Sequence, residues 1–259
     1  MLNVDRLSIF TPEQQPLLQN ISFTLSAGKT LGVIGESGAG KTMLSLALMR
    51  LLDPAFHVSG GIYFQGKSLM ALTLEEVSRV RGKEIGFLTQ HPLSAFDPIF
   101  TVGKQMLDTV RTHFTCTKRE TRSVVIRMLD KMAFEDPEWL LRRYPFELSG
   151  GMLQRVMIAL MMALKPKLMI ADEPTTALDT VTQQQVLHQL GSLRNEGTEA
   201  MLLITHDLGV LAKLAEEVLV IKSGLVVERL SVKKLFAGPE HTYTRTLLRS
   251  HLKFHGVNA

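Results

Sequence analysis

Residues 35–42 combine residue types whose chemical use is the clearest in this chain. They read Gly-Glu-Ser-Gly-Ala-Gly-Lys-Thr and match G-x-x-x-x-G-K-[ST], the P-loop pattern, at every fixed position. Such glycines let backbone N–H groups approach phosphate oxygens, while the lysine can reach the β- and γ-phosphates of a nucleotide and the threonine hydroxyl can bind Mg²⁺. The candidate nucleotide ligands are Gly35, Glu36, Ser37, Gly38, Ala39, Gly40, Lys41 and Thr42, and Thr42 is also a candidate Mg²⁺ ligand.

Four further polar side chains follow predicted buried strands. Asp172 and Glu173 end one short apolar run, and Gln90 and His206 each follow another. Asp172 suits water-mediated binding of Mg²⁺, and Glu173 is placed to polarise a water molecule. The amide oxygen of Gln90 can bind Mg²⁺ or the attacking water. Two acids at a strand end are commonly just solvated, but these follow a P-loop in the same chain.

A second phosphate-sized feature is predicted at Ser149, Gly150 and Gly151, which precede a helix expected over 152–164. A serine N-cap followed by two glycines can form an anion-binding concavity at a helix N-terminus. One γ-phosphate hardly needs two such concavities from one chain, so we expect this one to face a nucleotide on another subunit. Without the P-loop, a plain capped helix start would be the preferred interpretation.

Strands and a helix must position these groups. The apolar run 30–34 predicts a buried strand before the P-loop, and residues 43–52, which lack Gly and Pro, predict a helix after it. Short strands are also expected before the P-loop, where apolar and polar residues alternate from Ile21 onward. Phe10 precedes this alternating strand and can either stack on an adenine ring or pack as an ordinary aromatic side chain.

The middle of the chain has a different character. A loop with two prolines begins at His91, and the segments 102–114, 118–132 and 137–143 show helical spacing. We therefore expect one domain over residues 1–259. Its expected parts are an α/β core (1–90 and 166–231), a helical insertion (91–165) and a C-terminal tail (232–259), which we expect to be helical and peripheral.

Length and composition bound the class of protein. The chain has 259 residues, of which 45% are hydrophobic and 21% charged, as in globular proteins with a sizeable core. No apolar run reaches the roughly 18–20 residues that span a bilayer, and the pattern of a signal peptide is absent. The single cysteine, Cys116, favours a reducing cytosol or the cytosolic face of a membrane. A basic balance suits nucleotide, nucleic acid or anionic lipid, but the net charge of +4 is spread along the chain, which favours a merely solvated surface.

In this order, the motifs resemble those of the ATP-binding-cassette (ABC) ATPases over essentially the whole chain. Residues 35–42 are similar to the Walker A loop and residues 168–173 to the Walker B motif. Gln90 is similar to the glutamine of the Q-loop and His206 to the switch histidine. Asp179 ends a segment similar to the D-loop, which implies a position near the nucleotide.

Other segments narrow the resemblance. Residues 148–155 are similar to the LSGGQ signature, with Met152 where the family more often has glutamine, a departure that we expect to tune activity rather than abolish it. Residues 90–98 and 238–248 look like those of the peptide and nickel importers, and residues 144–155 are particularly similar to a nickel-import ATPase. Longer members of the peptide importers carry a C-terminal extension that this chain stops short of, which also favours the nickel type.

The resemblance implies an α/β fold with a P-loop ATPase core, an N-terminal antiparallel β part and a helical insertion. It implies two ATPase subunits that hold two ATP molecules with Mg²⁺ head to tail. Glu173 is then the general base, with His206 and Gln90 also in catalytic roles. The mate is expected to be a second, related ATPase, which makes a heterodimer.

The same resemblance implies two membrane permeases, an extracytoplasmic solute-binding protein and a peripheral position on the cytoplasmic face of the bacterial inner membrane. The expected function is ATP hydrolysis that powers uptake of nickel or a metal–chelate complex, with a di- or oligopeptide importer as the alternative. Cassette ATPases that act on DNA or ribosomes usually have two cassettes in one chain or a long coiled-coil insertion, and exporter ATPases are usually fused to membrane helices; this sequence shows none of these, which disfavours both alternatives. P-loop kinases and GTPases do not need residues 148–155 or His206.

Two other segments carry expectations. The apolar, proline-rich loop after Gln90 is expected to dock a permease helix, the alternative being a loop packed on its own insertion. His251 and His255 lie four residues apart, so on a helix they would share a face at a spacing that can bind a divalent metal. Two ligands are too few for a tight site, so we expect a solvated helix end.

Overall fold

The computed structural model of the protein describes residues 1–176, 178–193 and 197–254, and of residues 251–254 it describes the backbone. None of the helices in this part of the chain is long and apolar enough to cross a membrane. In chain order the elements are β1 (Leu2–Phe10), β2 (Pro16–Leu25), β3 (Thr30–Ile34), α1 (Lys41–Leu48), β4 (His57–Phe64), β5 (Lys67–Ser68), α2 (Leu74–Val80), β6 (Ile85–Leu88), α3 (Val102–His113), α4 (Lys118–Lys131), α5 (Pro137–Leu141), α6 (Gly150–Leu164), β7 (Leu168–Asp172), α7 (Thr180–Leu193), β8 (Ala200–Ile204), α8 (Leu208–Leu214), β9 (Glu217–Lys222), β10 (Leu225–Ser231), α9 (Val232–Ala237) and α10 (Thr242–Phe254).

The chain forms two compact units, one of residues 1–78 with residues from 200 onward and one of residues 79–199. In the first unit, β2, β1, β4 and β5 form an antiparallel sheet in that order, which confirms the predicted N-terminal β part. The same unit contains β10, β9, β3 and β8 side by side, with β3 parallel to both β8 and β9. The strand that leads into the P-loop is therefore central among these four.

Buried and exposed side chains alternate along β2, as its alternation of apolar and polar residues predicts. Ile21, Phe23 and Leu25 are buried, while Ser22 and Thr24 between them are exposed. Successive side chains of a strand point to opposite faces, so one face of β2 is packed and the other meets solvent. All five residues of β3 are buried, which is typical of parallel strands covered on both faces.

Helix α1 is shorter than the sequence predicts. The pattern favours helix over 43–52, whereas the helix ends at Leu48 and Arg50 has a left-handed backbone with φ of 51°. The guanidinium of Arg50 donates to the carbonyl oxygens of Leu69 and Leu72, at 3.1 and 2.5 Å between donor and acceptor. Arg50 makes these hydrogen bonds at the helix end, to residues some 20 positions later in the chain. Helix propensity depends on local residues only, so it cannot predict them.

The second unit contains the helices predicted in the middle of the chain, and side-chain caps define where they begin. Thr101 caps α3, and Thr117 forms a capping box with Glu120 at the start of α4. Asp136 caps α5 and Ser149 caps α6. In this unit β6 and β7 pair in parallel. The helical character of the segment is thus confirmed, while its division from the core at residues 91 and 165 stays a prediction.

Candidate functional site

The P-loop connects β3 to α1, as predicted, and two of its glycines are required by close contacts. A Cβ atom on Gly35 would lie 2.2 Å from the carbonyl oxygen of Ile221 on β9. Gly40 has φ of 98°, and a Cβ there would lie 3.0 Å from the carbonyl oxygen of Leu17. Because both obstacles are backbone atoms, a side chain at either position would displace the loop.

Lys41 folds back over the P-loop. Its Nζ donates to the carbonyl oxygens of Gly35 and Glu36, each at 2.9 Å. The ammonium charge is therefore held by the loop itself, beside residues 36–38, which are exposed. Thr42, the predicted Mg²⁺ ligand, is also exposed at the start of α1. This arrangement places a cation and open backbone together, as phosphate binding requires.

The turn between β9 and β10 supports the P-loop from one side. The N–H of Gly224 donates to the carbonyl oxygen of Ala39 at 3.3 Å, and the N–H of Gln19 donates to the carbonyl oxygen of Gly224 at 2.8 Å. A Cβ on Gly224 would lie 2.4 Å from the carbonyl oxygen of Leu17, so the three segments are in close backbone contact. The hairpin of β9 and β10 thus supports the loop and also forms one side of the sheet.

His206 and Phe10 belong to the same unit as the P-loop. His206 is exposed and follows β8 by two residues, and the next residue, Asp207, begins α8 by accepting from the N–H groups of Gly209 and Val210. Phe10 is half-buried at the end of β1. The roles predicted for both side chains stay predictions.

In the second unit, two carboxylates lie at the end of β7. Asp172 is the last residue of the strand and only 1% exposed, and Glu173 is 8% exposed. Glu173 has a left-handed backbone with φ of 51°, and its Oε2 accepts from the hydroxyl of Thr176 at 3.1 Å. A non-glycine residue in this region costs about 1–3 kcal/mol. The residue directly after the strand, Glu173, is therefore a carboxylate at a position where the backbone alone would favour glycine.

Gln90 lies at the same sheet edge as these carboxylates. Strand β6 runs parallel to β7, with Leu88 paired to Ala171. Gln90 follows Leu88 by two residues and is half-buried. The carboxyl ends of the two strands thus carry Gln90, Asp172 and Glu173, as the sequence predicts. All three present oxygen atoms, the ligand type that Mg²⁺ prefers.

The signature segment begins α6 in the predicted way. Ser149 Oγ accepts from the N–H of Met152 at 3.3 Å, and Gly150 and Gly151 are the first two residues of a 15-residue helix. Ser149 and Gly150 are exposed. The helix N-terminus is therefore accessible to an anion, and the same contact is also an ordinary N-cap.

The carboxylate of Asp179 accepts hydrogen bonds at the start of α7. Its Oδ1 accepts from the N–H groups of Val181 and Thr182 at 3.1 and 3.0 Å, and its Oδ2 accepts from the Thr182 hydroxyl at 2.7 Å. The Thr182 hydroxyl and these N–H groups hold the pKa of Asp179 below its usual range. Asp179 thus caps α7, and its predicted role at the nucleotide stays a prediction. Ala177, also in the D-loop segment, lies outside the described residues.

The loop after β6 exposes apolar side chains. Leu93, Ile99 and Phe100 are 54%, 75% and 40% exposed. The side-chain amide of Gln105 on α3 fixes the end of this loop, because it accepts from the N–H of Asp97 and donates to the carbonyl oxygens of Asp97 and Phe100, each at 2.9 Å. The backbone from Asp97 to Phe100, which carries Ile99 and Phe100, is therefore held by hydrogen bonds to α3.

A family comparison decides what these motifs belong to. The model of the ABC transporter family matches residues 18–176, which is more than half of the chain. The chain belongs to the ABC transporter family. It is an ATPase of that family, which binds and hydrolyses ATP.

Two curated relatives of this ABC ATPase cover nearly the whole chain. The metal-staphylopine import system ATP-binding protein CntD of Staphylococcus aureus is 44% identical over 254 residues, which span 98% of this chain and 94% of the relative. The glutathione import ATP-binding protein GsiA of Escherichia coli (strain K12) is 40% identical over 262 residues, 96% of this chain but 41% of the relative.

Solved structures share the fold of this ABC ATPase. A dimeric ATP-binding cassette in a post-hydrolysis state, bound to ADP and Pi, aligns with a TM-score of 0.80 at 24% identity, covering 90% of this chain and 99% of that one. The protein cbiO1 from Clostridium perfringens, part of the ABC transporter complex cbiONQ, aligns with a TM-score of 0.75 at 23% identity, covering 97% and 94%. Together they confirm the predicted fold class.

The C-terminal tail of the ABC ATPase contains one contact with the P-loop that the sequence did not predict. The tail was expected to be peripheral, which is wrong for Tyr243: it is 7% exposed and its hydroxyl oxygen accepts from the N–H of Glu36 in the P-loop. The run 238–248 contains this tyrosine, but a separation of 207 residues leaves no local pattern that predicts the contact. His255 and the side chain of His251 lie outside the described part of the chain.

Proposed function

We propose that the chain is the ATP-hydrolysing subunit of an importer that takes up nickel or a metal–chelate complex through two membrane permeases. The observation that carries this proposal is the 44% identity with the metal-staphylopine import protein over nearly the full length of both chains. The similarity of residues 144–155 to the nickel-import ATPase NikD supports the same class of cargo. Free nickel is the narrower form of the proposal and a chelated metal the broader one.

A di- or oligopeptide importer is the second candidate. It is favoured by the 40% identity with the glutathione import protein, since glutathione is a tripeptide. Both candidates require the same ATP chemistry in this subunit. They differ in the cargo that the permeases and the binding protein select.

We propose that the P-loop binds the phosphates of ATP. Lys41, whose ammonium lies against the loop carbonyls, neutralises charge on the β- and γ-phosphates, and the N–H groups of the loop add hydrogen bonds. Thr42, Gln90 and Asp172 offer a hydroxyl, an amide and a carboxylate oxygen, and this set suits Mg²⁺. When bound, Mg²⁺ neutralises phosphate charge. Phe10 is proposed to stack on the adenine.

Hydrolysis is assigned to Glu173 as general base. Its carboxylate takes a proton from a water whose oxygen attacks the γ-phosphorus, and the bond between that phosphorus and the bridging oxygen breaks to release ADP. The Thr176 hydroxyl, which donates to Oε2, restricts the orientation of the carboxylate. His206 and Gln90 are proposed to support the γ-phosphate and the water in the closed state.

A second ATPase subunit, related but different, is proposed to complete each site. Ser149, Gly150 and Gly151 lie at the accessible N-terminus of α6, which suits the γ-phosphate of an ATP held by the partner. Asp179 is proposed to act at the same junction. ATP closes this heterodimer and hydrolysis opens it.

We propose that the permeases dock on the loop after β6. Leu93, Ile99 and Phe100 are exposed apolar side chains of this loop, and exposed apolar patches mark protein contacts, whereas Pro92 and Phe96 of the same segment are buried. The helical insertion of residues 91–165 then passes the motion of the ATPase core to the membrane. Such docking places the subunit peripherally on the cytoplasmic face of the bacterial inner membrane, with a solute-binding protein on the opposite side.

Uptake assays in a strain that lacks the gene test the cargo. Cells complemented with the wild-type chain or with Glu173→Gln are given radioactive nickel chloride, a preformed nickel–staphylopine chelate or radiolabelled glutathione. Uptake of either nickel form that depends on the wild-type chain supports the metal proposal and shows whether a chelator is needed. Dependence for glutathione alone supports the peptide importer, and dependence for none of the three contradicts both.

A further inference from the structure

The C-terminal helix α10 contacts the P-loop through the phenol of Tyr243. The hydroxyl oxygen of Tyr243 accepts from the N–H of Glu36 at 3.0 Å. Burial raises the pKa of Tyr243, so the group stays a neutral phenol at physiological pH. The tail that follows β10 is therefore part of the surroundings of the P-loop, although it lies at the far end of the chain.

The hydrogen bond of Tyr243 involves the same peptide unit that the P-loop lysine, Lys41, binds. The N–H of Glu36 and the carbonyl of Gly35 belong to one planar peptide unit, so they cannot turn independently. Tyr243 binds the N–H side of that unit, and the ammonium of Lys41 binds its carbonyl side at 2.9 Å. A rotation of this peptide that broke one hydrogen bond would disturb the other. Tyr243 and the ammonium of Lys41 therefore bind opposite sides of one rigid group.

Apolar packing holds the ring of Tyr243 in place. The ring belongs to a buried cluster with Ile34, Leu235 and Leu247, and Ile34 is the residue directly before the P-loop. The ammonium of Lys222 lies 4.9 Å from the ring centre, within the range of a cation–π contact. Replacement by phenylalanine would keep this packing and remove only the hydroxyl.

A carboxylate on β10 fixes the start of α10. Glu228 Oε1 accepts from the N–H of Glu240 at 2.8 Å, and its Oε2 accepts from the N–H of His241 at 3.3 Å. Although burial opposes ionisation, hydrogen bonds hold the pKa of Glu228 below its usual range. His241 Nδ1 in turn accepts from the N–H of Tyr243 at 3.2 Å. Glu228 thus orients the turn from which Tyr243 projects.

We propose that Tyr243 is a positioning residue for ATP binding: its hydroxyl fixes the Gly35–Glu36 peptide that orients Lys41, and Glu228 holds Tyr243 in place. The N–H of Glu36 is then used for support, which leaves phosphate binding to the other N–H groups of the loop. The inference rests on ATP binding by the P-loop. The phenol touches neither the nucleotide nor the reacting atoms.

The test compares Tyr243→Phe with Tyr63→Phe, a matched loss of a phenol on β4. The full chain is titrated with a fluorescent ATP analogue and Mg²⁺, and hydrolysis is measured at saturating ATP. Loss of one hydrogen bond predicts roughly two- to tenfold weaker binding for Tyr243→Phe, with turnover at saturation within about twofold of wild type. Amide exchange at Glu36 should become faster. Tyr63→Phe should match wild type in all three measurements.

Two further variants test the path. Glu228→Gln should also weaken binding, and the double variant should lose less than the product of the two single losses, because both act through one contact. An unchanged dissociation constant for Tyr243→Phe overturns the proposal, even if the melting temperature falls. Losses that multiply overturn the part assigned to Glu228. Lys41→Ala is measured in parallel, and wild-type affinity there would contradict ATP binding by the P-loop instead.

Discussion

Replacement of Glu173 by glutamine is the sharpest perturbation that the structure offers. Glutamine has the shape of glutamate and an amide oxygen that can still accept from the Thr176 hydroxyl, now 3.1 Å from the carboxylate. The left-handed backbone at this position is as costly for glutamine as for glutamate. Because a hydrogen bond contributes about 0.5–1.5 kcal/mol and this one is retained, the free energy of unfolding should change by less than about 1 kcal/mol.

The effect on hydrolysis should be much larger. An amide cannot take the proton of the attacking water, and loss of a general base typically slows a reaction by about 10²–10⁴-fold. That range corresponds to about 3–5 kcal/mol in activation free energy. ATP turnover should therefore fall by this factor while ATP is still bound, so the variant should retain ATP and trap the closed dimer. Turnover is measured by phosphate release and retention by filter binding of labelled ATP.

A matched variant shows whether an effect comes from loss of a negative charge in general or from loss of the carboxylate at Glu173. Glu135, an exposed glutamate between α4 and α5, is replaced by glutamine and should leave turnover and ATP retention unchanged. Turnover of Glu173→Gln within about threefold of wild type would refute the assignment of the general base. A large fall in turnover together with loss of ATP binding would also count against it, since that pattern indicates a damaged site.

Three other outcomes are expected. Lys41→Ala should lose ATP binding or hydrolysis and abolish uptake, and unchanged uptake in cells would contradict an essential active site in this subunit. Cysteines introduced at Leu93 and Phe100 in a cysteine-free background should cross-link to a permease, whereas capture only from a cysteine in the C-terminal tail would contradict the proposed docking surface. Replacement of His251 and His255 by alanine should leave ATP turnover and nickel uptake unchanged, and a selective loss of uptake would show that the tail handles cargo.

Local patterns were sufficient wherever neighbouring residues define the backbone. The strand predicted over 30–34 agrees with β3, because an unbroken apolar run is what a strand buried on both faces requires. The predicted N-cap at Ser149 is present, since a serine side chain reaches an N–H only three residues away. The order of these motifs was also enough to predict the family that the comparison confirms.

Contacts between distant segments could not be predicted in this way. The sequence by itself determined a P-loop between a buried strand and a helix, the carboxylates at the end of β7 and the fold class, because these follow from residue type and short-range periodicity. Only the tertiary structure decided that α1 ends at Leu48, that the Ile221 carbonyl excludes a side chain at Gly35, and that Tyr243 binds the P-loop. The physical reason is that each depends on backbone and side-chain atoms brought together by folding, for which the local sequence carries no periodic or conformational signal.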